Sequence, residues 1–178
     1  FFDSGWMDET VQEKLSGDLT EKTYADRIES VRRFERQLTD NGYLVMKFFF
    51  QIDKHEQKKR LAALLEDETT KWRVSKHDLK QNKKYDEYLE AFDSFMYDTN
   101  LSNAPWYMID AKERKWAELQ ILDIINQGVE TALLNQGHAV PILQNTFALK
   151  KIPKLSEVSL DKKLTDEEYK EELGKLQK

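Results

Sequence analysis

A chain of 178 residues is long enough to bury one good core, and its length points to a single domain. Its 28 basic and 33 acidic side chains leave a net charge of −5, which argues against wholesale nucleic-acid binding. The lack of cysteine excludes disulfides and thiolate metal sites, and no apolar run approaches the roughly 20 residues of a membrane span. With no secretory signal, the expectation is a cytoplasmic protein that partners neither membrane nor nucleic acid.

Phe1-Phe2-Asp3 reads as the tail of a strand with no initiator methionine before it, so part of something longer is expected. A short helix is predicted over 8–16. Thr20 then opens a helix to about Leu38, with Tyr24, Ile28, Val31, Phe34 and Leu38 on one stripe. Asp40-Asn41-Gly42 stops it. The apolar run 43–50 follows and reads as a strand buried on both faces, hence a parallel sheet between helical layers. Asp53 caps the next helix, 54–66, with Glu56 placed to complete a capping box. Helix, central strand, helix is the grammar of a doubly wound α/β domain.

After a polar break at 66–70, Ser75 and Asp78 open a helix that runs, with room for a kink, to about Tyr97. A turn at 100–103 leads into a strand over 104–110, whose Pro105 is tolerable near its start. A helix with Trp116, Leu119, Leu122, Ile125 and Leu133 is predicted over 112–134. Residues 138–164 lack periodicity and read as a linker. Thr165 and Glu168 then cap a charged helix from Asp166.

Arg73, Lys76, Lys80 and Lys84 recur at spacings of three, four and four, one face of a helix. Like charges so placed repel, and a stripe of them suggests a polyanion; a solvated charged face is the plainer alternative. Lys47 could face phosphate or snorkel from the sheet, and the structural role is favoured. Trp106 is expected in the core. Asp110, Lys112 and Arg114 follow the last strand, where open α/β sheets bind ligands. His55, His77 and His138 have no metal-site spacing. None of the six glycines forms Gly-x4-Gly-Lys.

Four blocks resemble the polyphosphate kinase 2 family: Phe2-Asp3-Ser4-Gly5-Trp6-Met7, the whole of 34–61, Lys71-Trp72-Arg73-Val74-Ser75 with its helix, and Ala104-Pro105-Trp106 through Asp110 with Lys112, Arg114 and Trp116. The resemblance implies a three-layer, P-loop-kinase-like parallel sheet that is partial here, with a helical lid over about 70–100. It implies phosphoryl transfer between inorganic polyphosphate and AMP or ADP with Mg²⁺. Asp3 stands at the family's Walker-B-like catalytic and metal position. Arg73, Lys76, Lys80, Lys84 and Lys47 would touch polyphosphate or nucleotide, and Asp110, Lys112 and Arg114 would form a nucleotide loop.

The tail 160–177 is similar to the join between fused copies in the polyphosphate:AMP phosphotransferase branch. On that basis 1–136 is the later part of a first kinase-like copy, 137–164 a linker, and 165–178 the start of a helix leading to a second domain. A homo-oligomer is expected. Ser4 replaces the family's arginine and Gly5 its serine, and the phosphate cradle would precede Phe1. A segment not catalytic alone is expected, the alternative being a pseudo-kinase domain for docking or dimerisation. A third option, a nucleotide monophosphate kinase using ATP, is disfavoured by the lid and Ala-Pro-Trp blocks.

Overall fold

In the computed structural model, which describes residues 5–134 and 147–177, two five-residue strands anchor everything else. Strand β1 (Lys47–Gln51) pairs in parallel with β2 (Trp106–Asp110), Lys47 lying opposite Trp106 and Gln51 opposite Asp110. Parallel neighbours need a long crossover. Here it comprises α3 (Lys54–Glu66), a 3₁₀ turn (Lys71–Arg73), α4 (Lys76–Lys83) and α5 (Tyr85–Thr99). Helices α1 (Trp6–Ser16) and α2 (Glu21–Asp40) precede the sheet, and α6 (Arg114–Leu134) and α7 (Asp166–Leu176) follow it. The molecule is mixed α/β with a small parallel sheet, and no helix among the described residues is long and apolar enough to cross a membrane.

Most boundaries sit where the local signals put them. Thr20 caps α2 by accepting the Thr23 N–H, and Gly42, at φ +83°, lets the Tyr43 N–H reach back to Leu38 O at 3.1 Å. Ser75 and Asp78 form the reciprocal capping box of α4, and Thr165 and Glu168 that of α7. At α3 only half of the expected box forms. The Asp53 side chain accepts the Glu56 N–H at 2.8 Å, while the Glu56 carboxylate goes to Arg60 Nε at 2.8 Å. The anticipated kink is a break at Lys84 between α4 and α5.

The apolar run 43–50 departs from expectation. Only its last four residues lie in β1, and the strand is not buried on both faces: Phe50 is 56% exposed. Lys47, Phe49 and Gln51 share the face toward α2 and α5, with the Phe49 ring 5.3 Å from that of Phe92. The other face carries Phe48 stacked on Tyr107. Helix α3 contributes no buried residue, so the Phe50 side of the strand end stays open.

The core lies between α1, α2 and α5, around Val11, Ile28, Val31, Phe92, Phe95 and Met96. Its last member comes from far along the chain. Leu155, 0% exposed, plugs the cluster from a short 3₁₀ turn, Leu155–Glu157. Its N–H donates to Asp93 Oδ1 at 2.8 Å and its carbonyl accepts Gln51 Nε2 at 2.6 Å. Upstream, Lys150 N–H donates to Asn100 O at 2.8 Å, and Ser102 N–H to Ala148 O at 3.0 Å. The described part of the irregular stretch is thus strapped to the α5–β2 turn. The predicted strand at 1–3, Asp3, Ser4, His138 and residues 139–146 lie outside the described residues.

Candidate functional site

Ligands of open parallel sheets gather at the strands' carboxyl ends, which here are Gln51 and Asp110. Three tethers organise that end. Ala111 N–H donates to Gln51 O at 2.8 Å, extending the ladder one residue beyond β2. Arg60 Nη2, from α3, donates to Ala111 O at 3.0 Å and to Lys112 O at 2.9 Å. Lys112 Nζ returns to Asp53 Oδ2 at 2.8 Å. That hydrogen bond, with the Glu56 N–H, holds the Asp53 carboxyl below its ordinary range and lifts the Lys112 ammonium above its own.

Within this frame Gln51 and Asp110 are 4% and 3% exposed. Asp110 Oδ1 accepts the Lys112 N–H at 3.0 Å, but Asp110 Oδ2 and Gln51 Oε1 are buried with no hydrogen-bond partner. Buried acceptors without donors are rare enough to demand an explanation. Beside Gln51 the Tyr85 hydroxyl donates to Ile52 O at 2.7 Å, and Asn82 Nδ2 donates to Lys54 O at 3.0 Å and to Gln57 Oε1 at 2.9 Å. Burial, then the nearby Asp53 charge, pushes the Tyr85 hydroxyl up from its ordinary value. These bonds seat α4 on the amino-terminal end of α3.

The predicted site residues divide between places. Asp110 and Lys112 come together at the strand ends with Asp53 and Arg60, and Arg114 opens α6 just beyond them. Lys76 and Lys80 project from α4 into solvent with no ion pair among the described residues. Lys84 lies at the α4–α5 break, its Nζ 2.7 Å from Glu87 Oε2. Arg73 is exposed but belongs to the 3₁₀ turn, separated from α4 by Val74 and Ser75, so the four cations do not share one helical stripe. Trp72, beside Arg73, is 79% exposed, its Nε1 donating to Thr69 O at 2.8 Å.

Lys47 stands apart from the other predicted binding residues, in the structural role that the sequence favours for it. It begins β1, at the end of the sheet opposite the carboxyl termini. Its ammonium donates to Glu35 Oε1 and Oε2, at 2.8 and 2.7 Å, and to Thr99 O at 2.8 Å, with the Trp106 ring 5.0 Å away. Burial drives the Glu35 carboxyl up and the Lys47 ammonium down, and each partner's charge opposes the shift. An ammonium so enclosed has no hydrogen left for phosphate. Trp106 is half-buried, its Nε1 donating to Thr99 Oγ1 at 2.9 Å, in keeping with a packing role.

Sequence reasoning overlooked Arg60, Gln51 and Asp53 as parts of one cluster. The Glu56–Arg60 spacing of four was visible, but nothing local says that Arg60 reaches across to 111–112. Asp3 is outside the described residues. Among those described, no three His, Asp or Glu side chains converge as metal ligands, and Asp53 is occupied by Lys112. They do not by themselves compose a Mg²⁺ site.

Comparison with known proteins adds an independent line. The sequence profile of polyphosphate kinase 2 matches residues 1–137. A polyphosphate:AMP phosphotransferase of Pseudomonas aeruginosa is 29% identical over 97% of the chain, which spans 36% of that relative. An AMP/ADP-polyphosphate phosphotransferase of Meiothermus ruber is 30% identical over 68% of the chain, covering 46% of its own length. The crystal structure of polyphosphate kinase 2 from Arthrobacter aurescens TC1 superposes with a TM-score of 0.63 at 26% identity, covering 85% of this chain and 49% of that one.

Proposed function

Since the chain belongs to the polyphosphate kinase 2 family, we propose that it forms part of a phosphotransferase moving phosphoryl groups between inorganic polyphosphate and AMP or ADP. The observation that carries this is the pair Lys76 and Lys80, uncompensated on a helix seated beside the carboxyl end of β1. Phosphoryl transfer asks a protein chiefly for positioned cations and exclusion of water. Lys76 and Lys80, with Arg73 nearby, would hold an extended polyanion. Arg60 and Lys112 fix the loop after β2 on which a nucleotide would rest, with Asp110 and Arg114 flanking it.

Residues 70–100 act as the lid of a P-loop-kinase-like sheet in this proposal. Residues 1–136 would be part of a first family domain and 137–164 a connector. The helix from 165 would lead to a second domain. Asp3 is the residue assigned to Mg²⁺. A cytoplasmic homo-oligomer belongs to the same proposal. The second reading, a non-catalytic half that docks or dimerises, draws support from Ser4 and Gly5, since serine offers no permanent charged fork to a phosphoryl group.

Titration of the 178-residue chain with polyphosphate should give binding that weakens steeply with salt. Lys76→Ala with Lys80→Ala should weaken it about tenfold, the scale of two screened contacts. Undiminished affinity in the double variant would remove α4 from the account. Polyphosphate-dependent ADP formation by the chain would favour the catalytic reading over the docking one.

A further inference from the structure

The break that ends α2 carries the one Asn-Gly pair of the chain, Asn41-Gly42, and both residues are exposed. An asparagine followed by glycine loses ammonia readily, because glycine has no side chain to shield its backbone nitrogen. A Cβ at Gly42 would meet no neighbour within 4 Å, so nothing else in the fold blocks the approach. What restrains the pair is the hydrogen bonding of the turn. Asn41 Nδ2 donates to Gln37 O at 2.7 Å, and the Gly42 N–H donates to Thr39 O at 3.0 Å. Thr39 is in turn held from outside the helix. Asn103 Nδ2, in the turn before β2, donates to Thr39 Oγ1 at 2.9 Å.

We propose that Asn41-Gly42 is a site of spontaneous deamidation whose rate is set by opening of the last turn of α2. In the open turn the Gly42 nitrogen gives up its proton and attacks Asn41 Cγ. A C–N bond forms, the Cγ–Nδ2 bond breaks, and the leaving nitrogen takes up a proton and departs as ammonia. Water then opens the resulting cyclic imide at either carbonyl, leaving aspartate or isoaspartate. Both reacting groups belong to adjacent residues, so water is the only co-reactant. The product disfavours the turn that held the reaction back. A carboxylate replaces the amide that donated to Gln37 O, beside Asp40 and at the negative end of α2, whose last turn has no basic side chain. The isoaspartate route also adds a methylene to the backbone between Glu35 and Lys47, the two members of the buried ion pair. Conversion is therefore one-way and loosens the join between α2 and β1.

Conversion at Asn41 is followed by peptide mass mapping, and isoaspartate by methyl transfer from an isoaspartyl methyltransferase, in mildly alkaline buffer. In urea the 178-residue chain should convert at Asn41 faster than at its other asparagines, and Gly42→Ala should suppress that reaction. Without urea, conversion should be slower by on the order of tenfold or more, the protection given by a closed helix end. Asn103→Ala, which frees Thr39, should speed conversion of the folded chain and leave the rate in urea unchanged. Leu155→Ala, which weakens the core away from this turn, should speed it less. Asn41→Asp should lower the melting temperature. Equal rates with and without urea, or ordinary reactivity of Asn41 in urea, would overturn the inference. So would a folded-state rate that Asn103→Ala leaves unchanged or that Leu155→Ala raises as much, since conversion would then await global unfolding.

Discussion

Glu35 shows how far a single side chain can depart from the pattern around it. On α2 the stripe Tyr24, Ile28, Val31 continues at the next i+4 step into Glu35, 0% exposed, while Phe34 turns outward to meet Trp6 edge-on. A carboxylate survives there because Lys47 gives it two hydrogen bonds. Breaking one side of such a pair strands the other charge in a dry site. Lys47→Met should lower stability by about 3–5 kcal/mol, measured by chemical denaturation, and adding Glu35→Leu should recover most of it. If the single variant proved neutral, the pair would not be the lock inferred here. This contact could not be read from the sequence. Periodicity marked Phe34 and Leu38 as core and gave no reason to bury the glutamate between them, since its partner lies on a different element.

At the scale of elements, the capping signals translated faithfully: Thr20, Asp53, Ser75 and Thr165 all begin helices where their hydroxyls or carboxylate predicted. Asp53 does double duty, holding the first turn of α3 and tying Lys112 at the end of β2. Asp53→Ala should cost about 1 kcal/mol and loosen the 111–112 loop. The sign with pH follows from the depressed folded value. The contribution is full above the ordinary aspartate value of 3.8 and is lost as pH falls below it, toward the folded pKa. Denaturation of wild type and variant should thus converge in acid; a constant gap down to the lowest pH would contradict the role. What the sequence misjudged was β1. Its run of aromatics looked fully enclosed, yet α3 buries nothing over Phe50, because a strand's cover is decided by helix placement that no local pattern encodes.

Across the whole molecule, the parallel α/β character was legible, while the tail's part in the core was not. Leu155 lies past residue 137, where the family match stops, yet it fills the centre of the α1–α2–α5 cluster. One leucine among charged neighbours, in a stretch with no period, carries no signal for that. Leu155→Ala should destabilise the fold by about 2–5 kcal/mol, seen as a lower denaturation midpoint with little change in slope. A neutral result would mean that the cluster closes without its plug. The neighbouring Gln51 and Asp93 bonds to the Leu155 backbone would survive that substitution, which isolates the cavity from the polar straps.

The Tyr85 hydroxyl bonded to Ile52 O fastens the start of α5 to the chain just beyond β1, midway along the crossover. Residues 53–84 are consequently a lasso with a cinched neck, tied to the end of β2 only through its α3 half, by Asp53 and Arg60. Lengthening the slack at 67–70 would extend how far α4 can move from α3 at a loop-closure penalty that grows only logarithmically. The reach of α4 can therefore change while the hydrogen bonds that join α3 to the end of β2 stay in place.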